Sequence, residues 1–530
     1  MRFNEDPRRV LMQIGTYLIL SLFCSSAVIG QEKQTASAIQ PNILFIMADD
    51  HARQAISAYD STLIRTPNLD RLAHEGMRFT NSFVTNSICS PSRAVLLTGK
   101  YSHKNGLRDN RDTFDGNQQT MPKLLQTAGY QTTIIGKWHL KSEPTGFDTW
   151  DVLKGQGQYY NPVFLNAEGQ RQIEGYTTDI ITDLAIETLE NRDESKPFLL
   201  LVHHKAPHRN WMPNLKYLDK FVDIKFPVPA TFYDDYKNRI AAEQADMRID
   251  DMFLYSDFKL QDEDFAVETG SGGKGSAVPR MKIDYRAELN EAQKKIWDAH
   301  YDKMRAEFRQ AKLTGKDLLE WKYQRYMRDY LRCILSVDEN VGRLLDYLDA
   351  KGLAENTVVV YTSDQGFYLG EHGWYDKRFM YEESLSMPLL VRYPHEIKAG
   401  QVSQDIVLNL DFTETFLDFA GAAIPEDVQG ESFRPVLHGI TPVNWRTSMY
   451  YHYYEYPHGW HMVKRHYGVR TQNYKLIHFY NDINAWELYD LRRDPTEINN
   501  LIDDPDYAGV IEALKLELQR LQVKYGDSVD

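Results

Sequence analysis

Cysteine is almost missing from this chain of 530 residues: there are three, Cys24, Cys89 and Cys333. Cys24 sits in an N-terminal stretch that reads as removable, and two remaining thiols are no disulfide framework. A basic excess is also lacking. Lys and Arg number 61 against 75 Asp and Glu, a net charge of −14. Such a surface does not invite a polyanion non-specifically, so nucleic acid is not an expected partner. If the substrate is anionic, the binding charge must be concentrated in a pocket. No internal repeat is present, which excludes a solenoid.

What is present begins with a targeting signal. Arg8 and Arg9 precede the apolar run "VLMQIGTYLILSLFCSSAVIG", which ends in Val28, Ile29 and Gly30. A basic start, a short apolar core and small residues at the exit predict a cleaved signal peptide over 1–30, with the mature chain starting near Gln31. As a membrane anchor the run reaches spanning length only if its small polar residues are counted. Phe23 before Cys24 argues against a lipoprotein site. The expectation is therefore a periplasmic or secreted protein with no stable membrane insertion. Without 1–30 the balance is 58 basic to 73 acidic side chains.

The mature chain reads as an N-terminal α/β catalytic domain over 31–439 and a smaller C-terminal α+β subdomain over 440–530. "NILFIM" (42–47), "QTTIIG" (131–136), "FLLLVH" (198–203) and "TVVVYT" (357–362) are continuous apolar runs, as expected of strands buried on both faces of a parallel or mixed sheet. "RTPNLDRLAHEGM" predicts a helix with Thr66 as cap, Pro67 in the first turn and Gly76 at the end. Cys333 lies among Leu331, Leu335, Val337, Val341, Leu344 and Leu345 at helical spacing, which makes it a buried structural thiol. "KGQGQYYNPVFLNAEGQ" (154–170) reads as an aromatic, substrate-facing loop. Residues 226–325 read as an insertion, more a solvated surface excursion than core. It carries a flexible "ETGSGGKGSAVP" (268–279) and a helix from Leu289 to about Gln310. The tail predicts an antiparallel sheet from "SMYYHYYEY", "HYGVRTQNYKLIHFY" and "WELYDL", then a helix with Ile511, Leu514, Leu518 and Leu521 in one stripe.

Each apolar run ends in a polar burst. The first leads into Asp49, Asp50 and His51, the last into Asp364 and Gln365, and the middle two into Lys137, Trp138 and His139 and into Lys205, Ala206, Pro207 and His208. Ligands of open α/β sheets bind outside the carboxyl ends of strands, so the four bursts are expected in one crevice. The pair Asp49 and Asp50 at the end of an apolar strand calls for a cation. With Asp364 and Gln365 it makes an all-oxygen set suited to Ca²⁺ or Mg²⁺ rather than zinc. In "TNSICSPSRAVLLTGKYSH", Ser90, Pro91 and Ser92 have cap and first-turn character and place Cys89 at the positive end of a helix ending at Gly99. Arg93, one turn on, is expected to point to the same site. As residues alone, Cys89 is either an isolated thiol or a lowered-pKa nucleophile.

Cys89-Ser90-Pro91-Ser92-Arg93 with "AVLLTGKY" resembles the Cys-x-Pro-x-Arg form of the type I sulfatase signature. "GYQTTIIGKWHL" (129–140) resembles the second signature and "ELYDLRRDPTEINNL" (487–501) the family's closing segment, so the resemblance spans nearly the whole mature chain. It implies an alkaline-phosphatase-like fold, a large mixed or parallel sheet between helices with a smaller C-terminal antiparallel sheet plus helix. It also implies that Cys89 is oxidised to Cα-formylglycine by a formylglycine-generating or anaerobic sulfatase-maturating enzyme, with the aldehyde hydrate as nucleophile. Ca²⁺, favoured over Mg²⁺, would be held by Asp49, Asp50, Asp364, Gln365 and the modified residue 89; Asn is more usual at the place of Gln365. Arg93 would orient the hydrate, His208 would protonate the leaving alkoxide, and His139 would take the proton from the remaining hydroxyl. Lys137 and Lys377 would hold the sulfate oxygens. "APH" favours His208 over His203 and His204, and "GEHGWYDKRFMYEES" places Lys377.

"GQGQYYNP", "HHKAPHRNWMP" and "YYEYPHGWHMVKRHYGVRT" resemble bacterial glycan sulfatases of the N-acetylglucosamine-6-sulfatase type. The expected substrate is thus a sulfated oligo- or polysaccharide. An algal polysaccharide such as ulvan is an alternative, and a phosphonate or phosphoester of the same superfamily is a further one. Candidate substrate-binding residues are His372, Arg108, Asp109, His461, Arg465 and His466, with Asn110 and Arg470 beside them.

Overall fold

A computed structural model describes residues 40–261, 284–459 and 461–528. The expected signal segment, Cys24 and the 268–279 link lie outside the described residues. At the centre is a ten-stranded mixed sheet in the order Gln401–Ser403, Met77–Phe79, Leu389–Arg392, Thr357–Ser363, Asn42–Ala48, Phe198–His204, Gln131–Gly136, Thr149–Leu153, Val163–Asn166 and Gly169–Gln172. The four strands expected from apolar runs are adjacent and mutually parallel. Their carboxyl ends therefore emerge along one edge.

Side chains of a strand alternate between faces, and the Asn42–Ala48 strand shows both faces buried. Leu44 and Ile46 join one apolar layer, with residues of the helices Pro67–Glu75, Thr177–Glu190 and Gly315–Ala350. Ile43, Phe45 and Met47 join another, with the helices Cys89–Thr98, Met121–Thr127 and Asp411–Ala420. The sheet is thus sandwiched by helices. The C-terminal strands Ser448–Tyr453, His466–Thr471, Tyr474–Phe479 and Ala485–Asp490 form an antiparallel meander. The helix Ala508–Tyr525 covers it with Leu514, Leu518 and Leu521 buried, and this layer shares a core with Val95, Tyr101 and Phe379.

Three local expectations change. Thr66 does not cap its helix; its hydroxyl is engaged by Ser57, and the Asp338 carboxylate from a neighbouring helix accepts the Asn68 and Leu69 amides at 3.1 and 2.9 Å. A tertiary carboxylate has replaced the local cap. The 154–170 stretch is only partly a loop, because Val163–Asn166 pairs with Gly169–Gln172 as a hairpin on the sheet edge. Its first half, with Gln156, Gly157 and Tyr159, does face a cavity.

The third concerns residues 226–325, whose described parts, 226–261 and 284–325, are not a solvated excursion. Phe226, Phe232, Ile249, Met252, Phe258, Trp297 and Tyr301 are buried in the layer that covers the central sheet. The expected helix runs Glu291–Ala311, started by Asn290, whose side chain accepts the Gln293 amide while Gln293 Oε1 accepts the Asn290 amide. Trp297 is fully buried, 4.4 Å from the Tyr301 ring and 6.4 Å from Tyr160. Trp297→Ala is expected to cost about 3–5 kcal/mol in urea unfolding, as for other large-to-small core changes. A loss below about 1 kcal/mol, the surface-substitution range, would return the segment to the periphery.

Candidate active site

Two backbone features aim the polar bursts. Asp50 and His139 both occupy the left-handed region, at φ 67° and 57°, which costs a non-glycine residue energy and recurs at functional sites. Gly136, at φ 101°, turns the chain just before Lys137; a Cβ there would lie 2.0 Å from His203 O. Only glycine lets the strand end so close to its neighbour.

The carboxylates of Asp49, Asp50 and Asp364 bring ligand atoms within 4.8 Å of one another, all buried. Burial alone would raise the Asp49 carboxyl, but Lys137, His208 and Arg93 override it and hold it well below the ordinary range. Burial raises Asp50 despite Lys377. Burial and the adjacent Asp49 push Asp364 up to about 7. Three buried carboxylates that repel one another fit a cation between them. Gln365 adds a second sign. Its amide nitrogen donates to Asp364 Oδ1 at 2.8 Å and to Asp50, while its buried Oε1 has no partner. An orphaned oxygen beside three carboxylates suits a hard divalent ion.

Cations frame the cluster. Arg93 donates from Nη2 and Nε to Asp364 Oδ2 at 2.9 and 3.2 Å, and from Nη1 to Lys137 O at 2.8 Å. Lys137 pairs with Asp49, and Lys377 Nζ lies 2.6 Å from both oxygens of Asp50. Cys89 opens its helix, buried, with Sγ 3.6 Å from Asp49 Oδ1. Ile88 rather than Ser90 occupies the cap position, and the Ser90 hydroxyl donates instead to His139 O at 2.7 Å. Burial pushes the Cys89 thiol up to about 12. This runs against the lowering that a helix N-terminus favours.

His208 Nδ1 donates to Arg209 O at 2.7 Å, leaving Nε2 3.8 Å from Asp50 Oδ2. His139 Nδ1 lies 3.3 Å from Ser90 Oγ. Burial, then Lys137, lowers both imidazoles well below their ordinary value. Each is neutral here, and an anion in the site would favour the protonated form. His203 Nδ1 is instead 3.2 Å from Lys137 O, and His204 is buried.

Cys89, His139, His208 and Lys377 line one cavity of about 560 Å³. The lining also includes Tyr159, Lys205, Arg209, Phe253, Tyr285 and Glu288, and Asn110, Arg111, Asp376, Arg378, Glu455 and His461. Arg209 is clamped by Asp257 at 2.8 and 2.6 Å. Arg378 pairs with Asp376, and His461 Nε2 is 3.2 Å from Asp376 Oδ2.

Of the expected substrate-binding residues, His461 and Asn110 face this cavity and the others do not line it. His372 is buried with Nδ1 2.7 Å from Asp234 Oδ2, among Tyr368, Trp374 and Tyr381. His466 accepts the Met380 amide and stacks on Tyr451 and Phe379, a core role. Arg465 donates to Tyr454 O, and Arg470 pairs with Glu382. Arg108 lies over the Tyr454 ring and Asp109 is taken by Arg111, while the next residues, Asn110 and Arg111, reach the cavity. Asp376 and Arg378 flank Lys377, and Lys205 shares a burst with His208, so adjacency could have found them. Tyr285 and Glu288 carry no local signal.

Residues 41–422 match the family described as sulfatase, and 370–524 the one described as N-sulphoglucosamine sulphohydrolase, C-terminal. The chain is 52% identical to an N-acetylglucosamine-6-O-sulfatase of Bacteroides thetaiotaomicron, over 99% of this chain and 94% of that one. With human N-acetylglucosamine-6-sulfatase it shares 26% identity over 84% and 73% of the two chains. It superposes with a TM-score of 0.87 on a solved protein, 52% identical, in complex with its substrate D-glucosamine-2-N,6-O-disulfate, covering 92% of this chain and 99% of that one.

The carboxylate cluster predicts one divalent ion per chain, countable by native mass spectrometry. Gln365→Leu, which removes the orphaned oxygen, is expected to weaken that ion at least ~10-fold in titration calorimetry. No bound ion at millimolar metal would exclude the site.

Proposed function

The chain belongs to the sulfatase family, and from that premise we propose that it hydrolyses the 6-O-sulfate of glucosamine units in sulfated glycans. The observation that carries the reading is the buried Cys89 at a helix start, on the floor of a cavity shared with His139, His208 and Lys377 and set against Asp49. The 52% identity to an N-acetylglucosamine-6-O-sulfatase supports the choice of sugar and position. We further propose that residue 89 acts as formylglycine, installed by a maturation enzyme, that the cation is Ca²⁺, and that the protein is exported to the periplasm or medium.

When in place, a formylglycine hydrate supplies the nucleophilic oxygen and Ca²⁺ draws charge from the sulfate oxygens. The chain's own residues do the rest. Lys377, paired with Asp50, lines the cavity and presents an ammonium donor to the sulfate, and the fully buried Lys137, paired with Asp49, adds positive charge. Arg93 ties Asp364 to the Lys137 carbonyl, which keeps the carboxylates and residue 89 in register. His208, anchored through Nδ1, offers Nε2 to hold a proton for the departing sugar oxygen. His139, braced by Ser90, is placed to accept one. Hydrolysis returns the sugar alcohol and inorganic sulfate, with water as the second reactant.

With a coexpressed maturation system, the Cys89 peptide is expected to lose H₂S and gain oxygen by mass spectrometry. Active protein carrying only the thiol would refute the modification. Sulfate release measured by ion chromatography should favour N-acetylglucosamine 6-sulfate over N-acetylgalactosamine 6-sulfate by roughly 100-fold or more. Equal rates on the two sugars, or faster turnover of phosphonate esters, would sink the assignment. Cys89→Ala should lower kcat by at least about 1000-fold.

A further inference from the structure

Lys205 takes no part in the chemistry derived above, yet it lines the same cavity. The residue is 5% exposed. Among the described residues no acceptor lies within hydrogen-bond distance of its ammonium. The nearest support is the Tyr159 ring, whose centroid is 4.9 Å from Nζ. Glu288, which lines the same cavity, acts on the ammonium only through space, while its Oε2 accepts the Tyr159 amide at 2.7 Å and the Tyr160 amide at 3.4 Å. A ring face compensates a desolvated ammonium only in part. The remainder is recovered when an anion arrives.

We propose that Lys205 is a specificity-determining residue that binds a second anionic group of the substrate, presented beside the ring whose sulfate is removed. This rests on the reading of the cavity as a glucosamine 6-sulfate site. The cations differ in what holds them. Lys137 and Lys377 are tied to Asp49 and Asp50. Lys205 lines the cavity with Tyr159, Tyr285 and Glu288 and is hydrogen-bonded to no carboxylate among the described residues. Burial, and then Lys137, brings the Lys205 ammonium down to about 8, so it remains charged at neutral pH and gains most from an anionic partner. The second anion is either an N-sulfate on the same sugar or the carboxylate of a neighbouring uronic acid. Both present planar or tripodal oxygens that accept from an ammonium.

The test compares three sugars: D-glucosamine-2-N,6-O-disulfate, N-acetylglucosamine 6-sulfate, and N-acetylglucosamine 6-sulfate joined to a uronic acid. Lys205→Met keeps the stem over Tyr159 and removes the charge; Lys205→Arg restores a cation. Lys205→Met is expected to raise KM for one or both doubly anionic sugars by about 10- to 100-fold relative to N-acetylglucosamine 6-sulfate, the loss of one charge-assisted hydrogen bond. kcat should stay within about 2-fold, and Lys205→Arg should recover much of the KM. Which sugar suffers identifies the source of the anion. Equal losses on all three sugars, or no loss on any, would overturn the proposal. The same affinities read by calorimetry on a Cys89→Ala background make it independent of turnover. If the wild type desulfated none of the sugars, the 6-O-sulfatase reading would fail, and the Lys205 assignment would still stand or fall on those affinities.

Discussion

Everything in this site depends on holding three mutually repelling carboxylates together while they are buried. Asp49, Asp50 and Asp364 meet at the ends of two adjacent parallel strands, fully buried. Burial and mutual repulsion would neutralise them if nothing opposed it. Arg93, Lys137 and Lys377 oppose it directly, each through a different carboxylate or carbonyl. The orphaned oxygen of Gln365 shows where further positive charge fits. Of the cations that hold the carboxylates, Lys377 also lines the cavity.

The cavity is built from distant parts of the chain. The floor comes from strand ends and from one helix start. The rest of the lining comes from Lys205 and residues 208–210, from Phe253, Ser256, Tyr285 and Glu288, and from residues 110–111, 376–378, Glu455, Gly459 and His461. Strand ends are rigid because their backbones are hydrogen-bonded on both sides, which suits groups that must hold angstrom-scale geometry. The walls are built on loops, the usual place for variation between relatives that share a mechanism.

The legible part of the molecule was where local pattern and tertiary role agree. Apolar runs marked the four central strands, since a strand buried on both faces has no polar face to confuse it. The bursts after them marked the floor. What misled was polarity without partners. His372 and His466 read as pocket donors from an aromatic, basic stretch, yet the fold sinks one against Asp234 and the other among aromatic rings. Residues 226–325 looked solvated because charge dominates their composition, while Phe226, Met252, Phe258 and Trp297 are spaced too irregularly to announce a core. Asp338 took over a cap that the sequence offered to Thr66.

By itself the sequence determined the chemistry of the floor: Cys89 with its Ser-Pro-Ser-Arg context, two aspartates after one strand, a third aspartate after another, and lysine–histidine bursts after two more. These are short-range patterns, and a parallel sheet necessarily delivers its strand ends to one edge. Only the tertiary structure decided which charged groups are satisfied and which are left facing the cavity. It gave Asp257 to Arg209, Asp376 to Arg378, and the amides of Tyr159 and Tyr160 to Glu288, and left Lys205 with an aromatic face. Pairing of that kind depends on contacts between residues far apart in the chain, and no local spacing encodes them.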